Sequence, residues 1–180
     1  MGWDLLQTLA RWFTVAASPE STEYDPPSPS PDAWPAFPVG AIALFLDFDG
    51  VLHRAQNGSF EFMDNLVALL SDAQDVGIVL STSWRENASA DYLLKLFPPS
   101  LRHRIHGVTP VLTDALPHLR ERECRTWARQ HQVHRFVAVD DEASLFSPDC
   151  PFLVATHRLR GLDRAVLAEI RARLRQLRAA

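Results

Sequence analysis

At 180 residues the chain is long enough for one domain with extensions, and 47% hydrophobic residues against 22% charged ones supply an ordinary globular core. A net charge of −4 gives no global electrostatic case for nucleic acid, and no apolar run reaches the length of a membrane span. Cys124 and Cys150 lack any CxxC or Cys/His spacing, which argues against zinc and for two buried free thiols in a reducing cytoplasm.

Residues 1–17 place Trp3, Leu6, Leu9 and Phe13 at helical spacing, with Leu5 and Trp12 beside them. This reads as a short amphipathic helix that docks on the domain or on a second copy, and so as a route to a protein partner or self-association. An interfacial membrane anchor is the rival reading. The polar face lacks the Lys/Arg cluster such an anchor uses. Asp4 and the absence of early positive charge make it a poor secretory signal. Residues 18–39 hold seven of the 13 prolines and read as a linker or extended arm. The folded domain is expected over residues 40–180.

Ala41–Asp47 is a continuous apolar run into Asp47, the signature of a strand buried on both faces. Asn57-Gly58 is a hairpin signal, so a small β-flap is expected after that strand. Met63–Asp75 has a helical pattern, ended by Gly77. Ile78–Leu80 is a second buried strand running into Ser81-Thr82-Ser83-Trp84-Arg85. A helix is expected over about Ala88–Phe97, before Pro98-Pro99. A weaker strand follows at Ile105–Leu112, then a helix over 119–131. Phe136–Val139 is a buried strand ending in Asp140-Asp141, and Pro151–Ala155 is a last short one. Leu162, Val166, Ile170, Leu174 and Leu177 form the apolar stripe of a closing helix. This alternation predicts an α/β fold with a parallel sheet covered on both faces.

Three strands therefore end in polar clusters: Asp47 with Asp49, Ser81-Thr82-Ser83, and Asp140 with Asp141. Ligands in such sheets gather at the carboxyl ends of strands, near the point where strand order reverses. Asp47 and Asp49 stand at i and i+2. In extended chain they would share a face and hold one cation together. A turn-forming Asp-x-Asp-Gly is the bland alternative. Lys95 is the single lysine, so any other catalytic cation is an Arg or a His.

These motifs resemble the haloacid dehalogenase (HAD) superfamily of phosphatases and phosphotransferases. The first motif stands as LFLDFDGVL, the second as IVLSTSW, the fourth as FVAVDDE, in family order over residues 41 to about 160. Arg120 and Arg122 are the candidates for the isolated cation of the third. The STSWR segment also resembles small HAD domains linked with RNA repair. The resemblance implies a Rossmannoid three-layer sandwich and a Mg²⁺-dependent phosphatase acting through an aspartyl-phosphate. It assigns Asp47 as nucleophile and Asp49 as acid and base, with the Asp49 carbonyl also a metal ligand. Asp140 and Asp141 would complete the metal shell. Thr82 or Ser81 would bind the transferring phosphoryl group, and Arg120 would offset its charge. Arg85 and Trp84 are either rim packing or a grip on substrate phosphate and base. His53, His103, His106 and His118 are expected on the surface or in the flap.

The intervals between motifs leave no room for a cap domain. That resembles members acting on large substrates, so the expected substrate is a nucleotide, a nucleic-acid end or a phosphoprotein. A catalytically silent binding module and a phosphotransferase are the competing readings.

Overall fold

The structure is a computed structural model that describes residues 34–112 and 117–180. The expected N-terminal helix and most of the proline-rich arm lie outside the described residues.

Five parallel strands form one sheet in the order β3-β2-β1-β4-β5. They are β1 (Ile42–Leu46), β2 (Val76–Leu80), β3 (Ile105–Val108), β4 (Phe136–Asp140) and β5 (Leu153–Ala155). The helices are α1 (Met63–Ser71), α2 (Ala90–Lys95), α3 (Pro99–Arg102), α4 (Leu119–Gln130) and α5 (Arg164–Ala179). β1 is central and buried throughout. A central parallel strand meets helices on both faces, so every position must be apolar.

Alternation along β1 divides the core. Ile42, Leu44 and Leu46 pack with Leu66, Leu69 and Leu70 of α1 and with Leu167, Ile170 and Leu174 of α5. Ala43 and Phe45 face the other way, against Cys124, Trp127 and Ala128 of α4. The result is the three-layer α/β Rossmannoid sandwich expected. Both cysteines are free and buried. No helix among the described residues is long and apolar enough to cross a membrane.

Several boundaries shift for identifiable reasons. Gly77 lies inside β2 rather than ending α1. A Cβ there would come within 2.6 Å of the Phe37 ring, so the glycine makes room for an aromatic from the arm. Phe37 packs edge-on to His106 and Trp127, and Trp34 packs against the core. α5 starts at Arg164 because the Asp163 carboxylate accepts the N–H groups of Ala165 and Val166. α2 is shorter than its pattern suggested, since the Ser89 side chain accepts the Tyr92 N–H and caps the helix there.

The segment after β1 also differs from a hairpin flap. It is a turn-rich loop with a single bridge between Asp49 and His53. Asn57 spends its side chain on the N–H and hydroxyl of Ser59, an Asx turn that competes with strand pairing.

Candidate active site

The ladder brings the strand ends into line. Leu46 pairs with Leu80 on one side and Val139 on the other. One residue further, the Asp47 N–H donates to the Val139 carbonyl and the Ser81 N–H to the Leu46 carbonyl. From β1 the chain moves out to β2 and β3, then returns to β4 on the far side. The β1–β4 junction is therefore the topological switch point, and Asp47 and Asp140 flank it.

Oxygens of Asp47, Asp140 and Asp141 come within 4.8 Å of one another. Burial drives the Asp47 carboxyl well above its usual range, and the Asp140 charge adds to this; the Phe48 N–H, Arg120 and the Thr82 hydroxyl oppose it. Burial also pushes Asp140 up to about 7, against the Glu142 N–H on Oδ1 at 2.9 Å and the charge of Arg120. Asp141 is raised by burial and by Glu142, with Arg158 opposing. Asp140 Oδ2 is buried without a hydrogen-bond partner. Three hard oxygen donors held together against their own repulsion suit a divalent cation such as Mg²⁺.

Gly50 permits this closeness. Its φ is +66°, and a Cβ would fall 2.2 Å from Asp141 Oδ2. Thr156 Oγ1 donates to the Gly50 carbonyl at 2.7 Å, tying the end of β5 to the first motif.

The Asp49 carboxylate does not join this cluster, contrary to the expectation that it would share a face with Asp47. The strand stops at Leu46, and the chain turns so that Val51 and Leu52 both donate to the Phe48 carbonyl. Asp49 Oδ2 instead accepts the Trp84 indole N–H at 2.8 Å. His53, expected in an exposed flap, is fully buried with Nε2 3.6 Å from Asp49 Oδ1.

Arg120 takes the place beside the carboxylates. It is buried, with Nε 3.7 Å from Asp140 Oδ2 and one guanidinium nitrogen 2.6 Å from Glu123 Oε2. Arg122 lies on another face of α4, in a groove with Arg125, Arg129 and His134. That groove is larger, about 860 Å³, but contains none of the clustered acids. The clustered acids lie in the smaller cleft of about 490 Å³, lined by Asp47, Asp49, Arg120, Asp140 and Asp141.

Arg85 needs correction as a phosphate grip. It is buried and donates to the carbonyls of Thr82, Thr109 and Pro110, with Glu123 Oε1 2.7 Å away. Its donors are spent on protein, so it braces the ends of β2 and β3 instead.

Thr82 Oγ1 accepts the Trp84 N–H at 3.3 Å and its hydroxyl bonds Asp47; Ser81 Oγ is buried without a partner. The serine of this triplet that lines the cleft is Ser83. Gln56, Glu142, Thr156, His157 and Arg158 also line it and were not singled out by sequence. Glu142 was signalled by following the acidic pair; nothing local marked the loop after β5.

The family model described as the HAD domain in Swiss Army Knife RNA repair proteins matches residues 43–167. The match runs across all five strands and includes every clustered acid and both Arg120 and Arg158. No curated protein and no solved structure matches the chain.

Proposed function

The chain belongs to the family of HAD domains found in Swiss Army Knife RNA repair proteins, and from that premise we propose that it is a Mg²⁺-dependent phosphomonoester hydrolase working through an aspartyl-phosphate. One observation carries the reading: Asp47, Asp140 and Asp141 converge at the β1–β4 junction with Arg120 facing them. Such a cluster repels a phosphate until cations offset it.

Asp47, Asp140 and Asp141, with the Asp49 carbonyl, would hold the Mg²⁺, which supplies charge neutralisation for the phosphoryl oxygens. A carboxylate oxygen of Asp47 attacks phosphorus as the ester P–O bond breaks. The bonding pair leaves with the ester oxygen, which takes a proton from Asp49. Asp49 then removes a proton from the water that attacks the aspartyl-phosphate. Carboxylate and inorganic phosphate are released. Arg120 stabilises the charge on the nucleophile and phosphoryl oxygens throughout. Thr82 orients Asp47 by its hydroxyl.

The substrate is the terminal phosphate of a nucleic-acid strand. The family's association with RNA repair supports this, and so does the cleft. No further folded module stands between the strands among the described residues, so a long molecule can enter. Arg158 at the cleft edge offers a cation to a neighbouring phosphate. The buried free thiols support a reducing, cytoplasmic setting.

The test is phosphate release from an aryl phosphate with and without Mg²⁺, for wild type and Asp47→Asn. Wild type should require Mg²⁺, and the variant should lose about a thousandfold or more in turnover. Turnover close to wild type in Asp47→Asn rejects the mechanism.

A further inference from the structure

The Asp49 carboxylate lies outside the three-acid cluster but lines the same cleft, beside a group of aromatic rings. Trp84 and His53 both reach it, and their rings belong to a cluster with Phe48 and Phe60: Trp84 lies 5.6 Å from Phe48 and 5.7 Å from Phe60, edge to face in both cases. The His53 ring lies 5.0 Å from Phe60 and 5.9 Å from Trp84. Beside such rings a carboxyl group is costly to bury without donors. One bonds it directly and a second faces it. The Trp84 indole N–H reaches Asp49 Oδ2 at 2.8 Å. His53 Nε2 and Asp49 Oδ1 face each other at 3.6 Å, and both atoms are buried without any other hydrogen-bond partner.

The tautomer of His53 follows from its other nitrogen. Nδ1 accepts the backbone N–H of Gly58 at 3.3 Å. In the neutral ring the proton must therefore sit on Nε2, where it points at Asp49. Gly58 is held in place by its own loop. It has φ +65° beside the Asx turn of Asn57, and a Cβ there would lie 3.8 Å from the edge of the Trp84 ring. The loop 55–59 thus reaches Asp49 through His53, while the segment after β2 reaches it through Trp84.

We propose that His53 and Trp84 are positioning residues that together fix the Asp49 carboxyl group for proton transfer to and from the substrate. The inference rests on the reading of Asp49 as acid and base. In the first step the Asp49 proton goes to the ester oxygen as the P–O bond breaks and Asp47–phosphorus forms. In the second, the same carboxylate takes a proton from water. Both transfers need one carboxyl oxygen at a defined place relative to the scissile bond. A carboxylate on a turn has two free torsions. The Trp84 bond on Oδ2 and the His53 Nε2 facing Oδ1 at 3.6 Å restrict that freedom.

A structural histidine and tryptophan would affect all substrates alike. Positioning residues for an acid would not, because a leaving group of low pKa departs with little help. The experiment is kcat/KM, which reports the first step, over a series of phosphate monoesters from 4-nitrophenyl phosphate to a simple alkyl phosphate. Trp84→Phe keeps the ring and removes only the N–H. His53→Leu removes the second donor, and His53→Gln offers an amide donor near the same place. Asp47→Asn is measured in parallel.

The plot of log kcat/KM against leaving-group pKa should steepen in Trp84→Phe and His53→Leu, with a loss of about tenfold or more at the alkyl end. His53→Gln should recover part of it. A parallel drop across the series, or no drop in Trp84→Phe, overturns the inference while leaving the phosphatase reading intact. If the His53 variants fail to fold, Trp84→Phe decides alone. A wild type that hydrolyses no ester, or an Asp47→Asn that hydrolyses all of them, overturns both readings.

Discussion

Arg120 and Glu123 stand one turn apart on α4 and meet at 2.6 Å, with Glu123 almost wholly buried. The other Glu123 oxygen holds Arg85 at 2.7 Å and accepts the Leu112 N–H at 3.2 Å. One carboxylate therefore ties the cation of the site to the brace beneath β2 and β3. Arg85, in turn, has its pKa lowered by burial and by the charge of Arg120, with Glu123 opposing that shift.

Glu123→Ala should leave two neighbouring guanidinium groups buried without their shared counter-charge. Breaking a buried pair by removing one partner costs about 3–5 kcal/mol. Urea unfolding of wild type and variant checks this, and turnover of the folded fraction should fall too. An unchanged urea midpoint would place the network outside the stability of the fold.

Arg158 is the exposed arginine at the mouth of the cleft and its charge reaches Asp141. Arg158→Ala should lower kcat/KM for a 5′-phosphorylated oligonucleotide by about tenfold, which corresponds to about 1.4 kcal/mol. For an aryl phosphate, which carries no second anion, the loss should be clearly smaller. Steady-state kinetics on both substrates separate the two cases; equal losses would remove Arg158 from substrate choice.

Glu121 supplies a pH dependence outside the site. Burial would raise its carboxyl, yet the hydroxyl and N–H of Ser147 at 2.6 and 2.8 Å, with Arg125, bring it down to about 2. The folded state then holds fewer protons than the unfolded one between about 2 and the ordinary value of 4.5. Its contribution is complete above pH 4.5 and disappears as pH falls toward 2. Linkage limits it to about 3 kcal/mol. Stability measured from pH 6 to 2.5 should fall less steeply in Glu121→Gln than in wild type.

Phe37 anchors the end of the proline-rich arm against Gly77, His106 and Trp127. Because it is only half-buried, Phe37→Ala should cost about 2 kcal/mol, below the range for a full core phenylalanine. A fragment starting at residue 34 should be more stable than one starting at residue 40, by thermal unfolding. Equal midpoints would make this contact incidental.

Much of the fold was legible because a parallel strand buried on both faces tolerates only apolar residues. Ile42–Leu46 and Phe136–Asp140 therefore announced themselves, and their acidic ends followed at once. The helix stripe ending at Leu177 was legible for a similar reason, since α5 has one covering task. The extent of β2 was harder to read. Gly77 looks like a helix stop in isolation, and only the Phe37 ring above it explains a glycine inside a strand.

By itself the sequence determined which chemical groups are at hand: three polar strand ends, two of them acidic, in an order that matches a family. Local rules do this work, since apolar runs and charged ends are properties of neighbours along the chain. The tertiary structure decided which groups meet. The phase of α4 turns Arg120 toward Asp140 and leaves Arg122 in another groove. The turn after Leu46 carries the Asp49 carboxylate from Asp47 to Trp84 and His53. The junction of Thr156 with Gly50 brings the loop after β5 into the cleft. Of these, Asp49–Trp84 and Thr156–Gly50 span 35 and 106 residues of chain, and helix phase, backbone turns and sheet order set them rather than local spacing.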